Sequence, residues 1–221
     1  MFYRIFVQAR MSSGRFPGKM LHSVANRPLI DWVLDRVTLA AGLECVVLAT
    51  STEPSDDVLA EHVSNRGYRV FRGALDSVAG RFQACLREYP AEWMVRICGD
   101  SPLLDPGLIT GLASHCRPEW DLVTNVEQRT FPPGQSVEFI NARAFAAIDT
   151  MSLSDQEREH LTQVYYMNPG RYRILNVAAT DPSWRGQSYV VDTEDDLAAI
   201  EPLLRSGEFP VFSGADARVM A

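Results

Sequence analysis

Arg10, Arg15 and Lys19 crowd into one short stretch, with Ser12, Ser13, Gly14, Pro17 and Gly18 among them. Glycine and proline break regular structure there, and glycine lets backbone N–H groups turn toward an anion. Serine hydroxyls add donors, and an arginine fork matches a pair of phosphate oxygens. Lys19 is the only lysine among 21 lysines and arginines, so its place at the end of this loop departs from the chain's usage. With Gln8 and Ala9 at its start, the stretch to Met20 reads as a polyphosphate-binding loop; a solvated basic turn is the plain alternative. It is not a P-loop, because G-x-x-x-x-G-K-[ST] needs glycine where Ser13 stands and a hydroxyl where Met20 stands.

Acids supply the complementary chemistry. Asp100 follows a strand-like run and Gly99, a residue that permits close backbone approach. A carboxylate placed among phosphates is tolerable only with a metal cation between them. Asp192 ends the apolar run Val190-Val191 and precedes Thr193-Glu194-Asp195-Asp196. Those residues also suit a helix start, with Asp192 or Thr193 as cap and the acids on the helix dipole. Arg72-Gly73 with Asp76, and Arg158-Glu159-His160, are weaker signals. Three consecutive polar residues cannot share one helical face, so at most two of the latter, His160 with Arg158, are expected at a site.

The elements that must position these residues alternate. An apolar strand (Ile5 to Val7) leads into the loop, and a helix is expected from Leu29 to Ala41, stopped by Gly42. Strands follow at Cys45 to Thr50, Arg69 to Phe71 and Glu92 to Ile97, with helices at 55–66 and 76–89 between them. Asp105-Pro106 starts the next helix, aspartate as cap and proline in the first turn. This order predicts an α/β protein with a mainly parallel sheet, helices on its faces, and ligands outside the carboxyl ends of the strands. The second half is expected to hold strands at 121–125, 135–140, 172–177 and 188–191, and helices at 142–151, 155–167 and 197–205. The chain reads as one domain of two halves, 1–120 and 121–221, the second with a small β-containing lobe.

A formal charge of −7 argues against general nucleic-acid or anionic-membrane binding. No run approaches the ~18 apolar residues of a membrane span, and no signal peptide opens the chain, so a soluble cytoplasmic protein is expected. Cys45, Cys85, Cys98 and Cys116 are too scattered for a C-x-x-C pair, which favours reduced, mostly buried thiols.

The loop resembles the R-x-x-S-x-R-x-P-G-K signature of the sugar cytidylyltransferases, in the branch typified by the spore-coat polysaccharide protein. Gly99-Asp100-Ser101-Pro102-Leu103 is similar to the family's G-D-x-P-L, and Val190 to Leu197 to its V-D-T-P-E-D-L. The resemblance implies a Rossmann-like nucleotide-diphospho-sugar transferase fold and transfer of CMP from CTP to a sugar or sugar acid, releasing pyrophosphate. It implies Mg²⁺ on Asp100 and Asp192, and catalytic roles for Arg10 and Lys19. Nucleotide contacts are implied from Gln8, Ala9, Arg10, Ser12, Ser13, Gly14, Arg15, Lys19, Arg72, Gly73 and Gly99. Sugar contacts are implied from Glu138, Arg158 and His160; 1–120 is then the nucleotide-binding half, 121–221 the sugar-binding and dimerisation half, and a homodimer the expected assembly. Ser136 departs from the pattern, where an acid is usual two places before Glu138. A glycosyltransferase on a similar fold and a catalytically silent nucleotide-binding subunit are the alternatives. The lone acid of Gly-Asp-Ser-Pro and the cationic loop favour a bound triphosphate over a glycosyltransferase's D-x-D site.

Overall fold

The computed structural model describes residues 1–168, 170–184, 186–212 and 217–220. β1 (Tyr3–Gln8) is a buried strand whose side chains Ile5, Phe6 and Val7 are fully enclosed. A small hairpin, β2 (Ser23–Val24) and β3 (Arg27–Pro28), follows the loop, and α1 (Leu29–Ala41) begins at once. α1 buries Ile30, Val33, Leu34 and Val37, the apolar face its spacing predicts, and stops at Gly42 (φ 81°). The alternation continues through β4 (Val46–Ser51), α2 (Asp57–Asn65), β5 (Arg69–Gly73), α3 (Val78–Glu88), β6 (Trp93–Cys98) and α4 (Pro106–Ala113). Asp105 caps α4 by accepting the Gly107 N–H at 2.9 Å. α3 is capped by Ser77 rather than by Asp76.

The later elements are β7 (Leu122–Thr124), β8 (Glu138–Asn141), α5 (Ala142–Ala146), α6 (Asp155–Glu159), α7 (Gln163–Tyr166), β9 (Ile174–Ala179), α8 (Glu194–Ser206) and β10 (Ala217–Met220). They extend the same sheet, whose order is β10-β9-β7-β8-β6-β1-β4-β5. β6, β1, β4 and β5 are parallel neighbours, as the alternation requires. β8 is antiparallel to both β6 and β7, because the connection from β7 contains no helix to carry the chain across.

Three expectations are corrected. The expected helix over 155–167 is two short ones, broken at His160 (φ −110°, ψ 80°). The break leaves His160 exposed while Leu161, Val164 and Tyr165 enter the core. The expected helix at 142–151 ends at Ala146. Residues 188–191 are no sheet strand. Tyr189 N–H donates to Pro133 O at 2.8 Å and Val191 N–H to Asp100 O at 2.9 Å, so this run straps two loops instead of joining a ladder. Gly134 makes the strap possible: at φ 89°, a Cβ there would lie 2.5 Å from the Tyr189 carbonyl carbon.

Candidate active site

The loop after β1 is held from below. Met11 O accepts the N–H groups of Ser13 at 3.0 Å and Gly18 at 2.9 Å, and Met11 N–H donates to Asp56 Oδ1 at 2.6 Å. Phe16 and Met20 are buried pegs, while Gly14 and Arg15 stay exposed at the rim. Gly18 takes the left-handed conformation (φ 77°) and opens a single 3₁₀ turn, Lys19–Leu21. That turn points Lys19 inward, where it is 5% exposed.

Asp100 reaches the same place from β6. Gly99 N–H donates to Gln8 O at 2.8 Å, and a Cβ on Gly99 would come within 2.8 Å of Ala9 Cβ. Gly99 therefore serves the close approach of two strand ends, a role set by packing. The strap brings Asp192 alongside, and the Lys19 ammonium lies between the acids. Its Nζ is 2.6 Å from Val191 O, 3.1 Å from Asp192 Oδ1 and 3.4 Å from Asp100 Oδ2. Arg15 holds the other Asp192 oxygen at 2.7 Å.

Asp192 is itself fixed by Asp196, whose Oδ2 accepts the N–H groups of Asp192 at 3.0 Å and Thr193 at 2.8 Å. Thr193 is the cap of α8, and with Asp196 it completes a reciprocal capping box. Burial pushes the Asp196 carboxyl up, but the bonds from Thr193 and from the Asp192 N–H outweigh it and hold the group below its ordinary value.

The two carboxylates fit a hard cation. An ammonium already sits among their oxygens and a main-chain carbonyl, so the position accepts positive charge, and oxygen donors suit Mg²⁺. Among the described residues no group of three or more His, Cys, Asp or Glu forms a closed metal cage. Substrate phosphates and water would have to complete the shell.

A cleft of about 330 Å³ opens here, lined by Gln8, Ala9, Arg10, Ser13, Gly14, Arg15, Lys19, Asp100, His160 and Asp192, with Met20, Arg81 and Cys98. Most of the predicted nucleotide residues thus meet in one place. Ser12, Arg72, Gly73 and Gly99 are not among the lining residues. Arg72 is engaged elsewhere, on the carbonyls of Ser51 and Glu53 and on Asp57. Arg158 faces a neighbouring groove with Arg10, Asp76 and Glu159, while His160 faces the cleft.

A second cavity of about 220 Å³ shares Cys98 and Asp100 with the cleft and is also lined by Arg96, Arg129, Ser136 and Glu138. Glu138 is 2% exposed, and both its oxygens are occupied. Arg96 Nη1 donates to Oε2 at 2.5 Å and Tyr166 O–H to Oε1 at 2.8 Å. Arg96 Nε also donates to Gln8 Oε1 at 3.0 Å, so this network forms the floor that joins the two cavities. Burial, then the Glu138 charge, raises the Tyr166 hydroxyl well above its ordinary value, which keeps it a donor. Burial likewise pushes the Cys98 thiol up to about 11, so it is no ready nucleophile.

Arg96, Tyr166 and Arg81 escaped the sequence reading, since no local spacing marks them, while Asp196, read only as an acid on the helix dipole, also fixes Asp192.

Comparison with known proteins identifies the family and the fold. The cytidylyltransferase family profile matches residues 5–207. The spore coat polysaccharide biosynthesis protein SpsF of Bacillus subtilis is 31% identical over 218 residues, 95% of this chain and 90% of that protein. A cytidylyltransferase from Leptospira borgpetersenii superposes with a TM-score of 0.88 at 25% identity, covering 98% of this chain and 92% of the other. A CMP:2-keto-3-deoxy-manno-octonic acid synthetase complexed with CTP gives 0.70 at 19% identity, covering 94% of this chain and all of the other, a likeness of fold.

Proposed function

This chain belongs to the cytidylyltransferase family, and from that premise we propose that its cleft transfers CMP from CTP to a sugar or 2-keto sugar acid with release of pyrophosphate. One observation carries the reading. A cationic glycine-bearing loop after β1 and a pair of carboxylates, Asp100 after β6 and Asp192 strapped beside it, meet in one cleft with Lys19 of the loop between the two acids. A glycosyltransferase would have less use for three cations on one loop, since its donor is a diphosphate.

The chemical problem is attack of a sugar oxygen on the α-phosphate of a highly anionic chain, where positioning and charge neutralisation dominate. Arg10, Arg15 and the loop N–H groups bind the β- and γ-phosphates, the future pyrophosphate. Lys19 stands at the junction of loop and carboxylates and stabilises the leaving group's growing charge. Asp100 and Asp192 would hold Mg²⁺, which supplies Lewis-acid polarisation of phosphorus and lowers the pKa of a nearby hydroxyl. His160, which lines the cleft, orients the sugar, with Arg158 at the neighbouring groove. The adjoining cavity, which shares Cys98 and Asp100 with the cleft and is floored by Arg96 and Glu138, extends the room for the sugar. The similarity to a spore coat polysaccharide protein supports a place in surface polysaccharide synthesis.

We place the enzyme in the cytoplasm, where CTP is made, as a homodimer. No helix among the described residues is long and apolar enough to cross a membrane. The test is a pyrophosphate-release assay with CTP, Mg²⁺ and a panel of sugars and sugar acids. Release that depends on both CTP and one sugar is expected. CTP binding without release for any sugar would instead favour a silent nucleotide-binding subunit.

A further inference from the structure

Arg81 belongs to no motif and is 2% exposed, yet it lines the cleft. It hangs from α3, where its Nη1 donates to Ala74 O at 2.5 Å. Its buried Nε has no hydrogen-bond partner among the described residues. The acid acting on it, Asp56, is already bonded to the N–H groups of Met11 and Ser51. A buried guanidinium with an unpaired donor is costly unless something arrives to pair it. Burial, with Arg10 adding repulsion, pushes it down to about 10, which still leaves it cationic at neutral pH.

The surroundings keep the residue in place. A Cβ on Gly73 would come within 2.9 Å of Arg81 Cγ, so glycine at the end of β5 gives the arginine stem room to lie flat. With Nη1 bound to Ala74, the Nε–Nη2 edge of the fork is what remains for a ligand. Its position along the cleft is also informative. Asp100 follows β6 and Asp192 is strapped beside it, whereas α3 packs on β4 and β5, across β1 in the sheet order. A nucleotide with its phosphates at the loop and carboxylates extends its other end toward Arg81.

We propose that Arg81 reads the cytosine ring, its Nε–Nη2 edge donating to N3 and O2; this rests on the CTP reading above. Cytosine offers adjacent acceptors at N3 and O2. Uracil carries N3–H, a donor that would oppose the guanidinium. The fork therefore discriminates by leaving donor against donor in the wrong complex.

Equilibrium binding of CTP, UTP and inorganic tripolyphosphate, with Mg²⁺, to the full chain and to Arg81→Met and Arg81→Lys tests this. The wild type is expected to prefer CTP over UTP by about tenfold or more, the scale of one bidentate base contact. Both variants should bind CTP no better than UTP and keep tripolyphosphate affinity within about twofold. Arg81→Lys retains charge and stem, so it guards against misfolding and isolates the fork. Equal losses for CTP and tripolyphosphate would make Arg81 a phosphate contact and overturn the proposal, as would a CTP preference that survives in either variant. A wild type that binds no CTP sinks the functional reading as well, whereas CTP binding indifferent to Arg81 sinks only this inference.

Discussion

Lys19 and Asp192 meet at 3.1 Å although 173 positions separate them in sequence, and the same ammonium reaches Asp100 at 3.4 Å. An internal cation thus stands among the oxygens proposed to hold the metal, and on that proposal lysine and metal would compete for them. Lys19→Met should raise the Mn²⁺ affinity of the nucleotide-free protein by about tenfold, equivalent to ~1.4 kcal/mol. Manganese EPR titration measures this, and unchanged affinity would mean that the ammonium does not compete.

The same lysine should act on turnover. Lys19→Ala is expected to lower kcat more than it raises KM for CTP, with a loss of about 2–4 kcal/mol in transition-state stabilisation. Lys19→Arg should restore only part, since a planar fork cannot replace a compact ammonium among three oxygens. Steady-state kinetics with circular dichroism separates this from misfolding.

Asp100→Asn and Asp192→Asn should each abolish pyrophosphate release while the protein stays folded. Each removes one of the two negative charges that hold the cation. Wild-type rates in either variant would remove that carboxylate from the metal site.

Asp196 acts through Asp192. Asp196→Ala removes the capping box of α8 and should cost about 1 kcal/mol of stability. It should also lower metal affinity, which a cap alone would leave unchanged. Because the folded carboxyl titrates below its ordinary value, its stabilisation is fully present above the unfolded pKa, about 3.9, and is lost as pH falls through the folded value. Acid titration of wild type against Asp196→Ala should show the stability difference shrinking below about pH 4.

Glu138 is saturated by Arg96 and Tyr166, and removing its charge leaves Arg96 unpaired in the floor. Glu138→Gln is expected to destabilise the fold by about 3–5 kcal/mol, the scale for breaking a buried ion pair. Chemical denaturation gives the value. A large rise in sugar KM with stability intact would instead make Glu138 a direct sugar contact.

Signals that act over a few residues were legible in the sequence. The glycines and proline of the loop, the period of α1 with Gly42 after it, and the Asp105-Pro106 start all appear where local sterics and caps put them. The strand–helix alternation likewise determined that the loop and Asp100 would follow strands of one parallel array, while Arg72-Gly73, expected after a strand, closes β5 itself. Which of them meet was decided by tertiary packing. Arg72 carries the stronger motif yet is drawn to Asp57, while Arg81, with no motif, lies in the cleft because α3 packs against β5. Residues 188–191 have a strand's composition, but Pro133 and Asp100 offer their carbonyls first, and that strap sets Asp192 beside Asp100. A side chain's local signal is the same whichever strand ends lie next to it. Its charge partner, within 4 Å but across 81 or 173 positions, exists only after the sheet has chosen its neighbours.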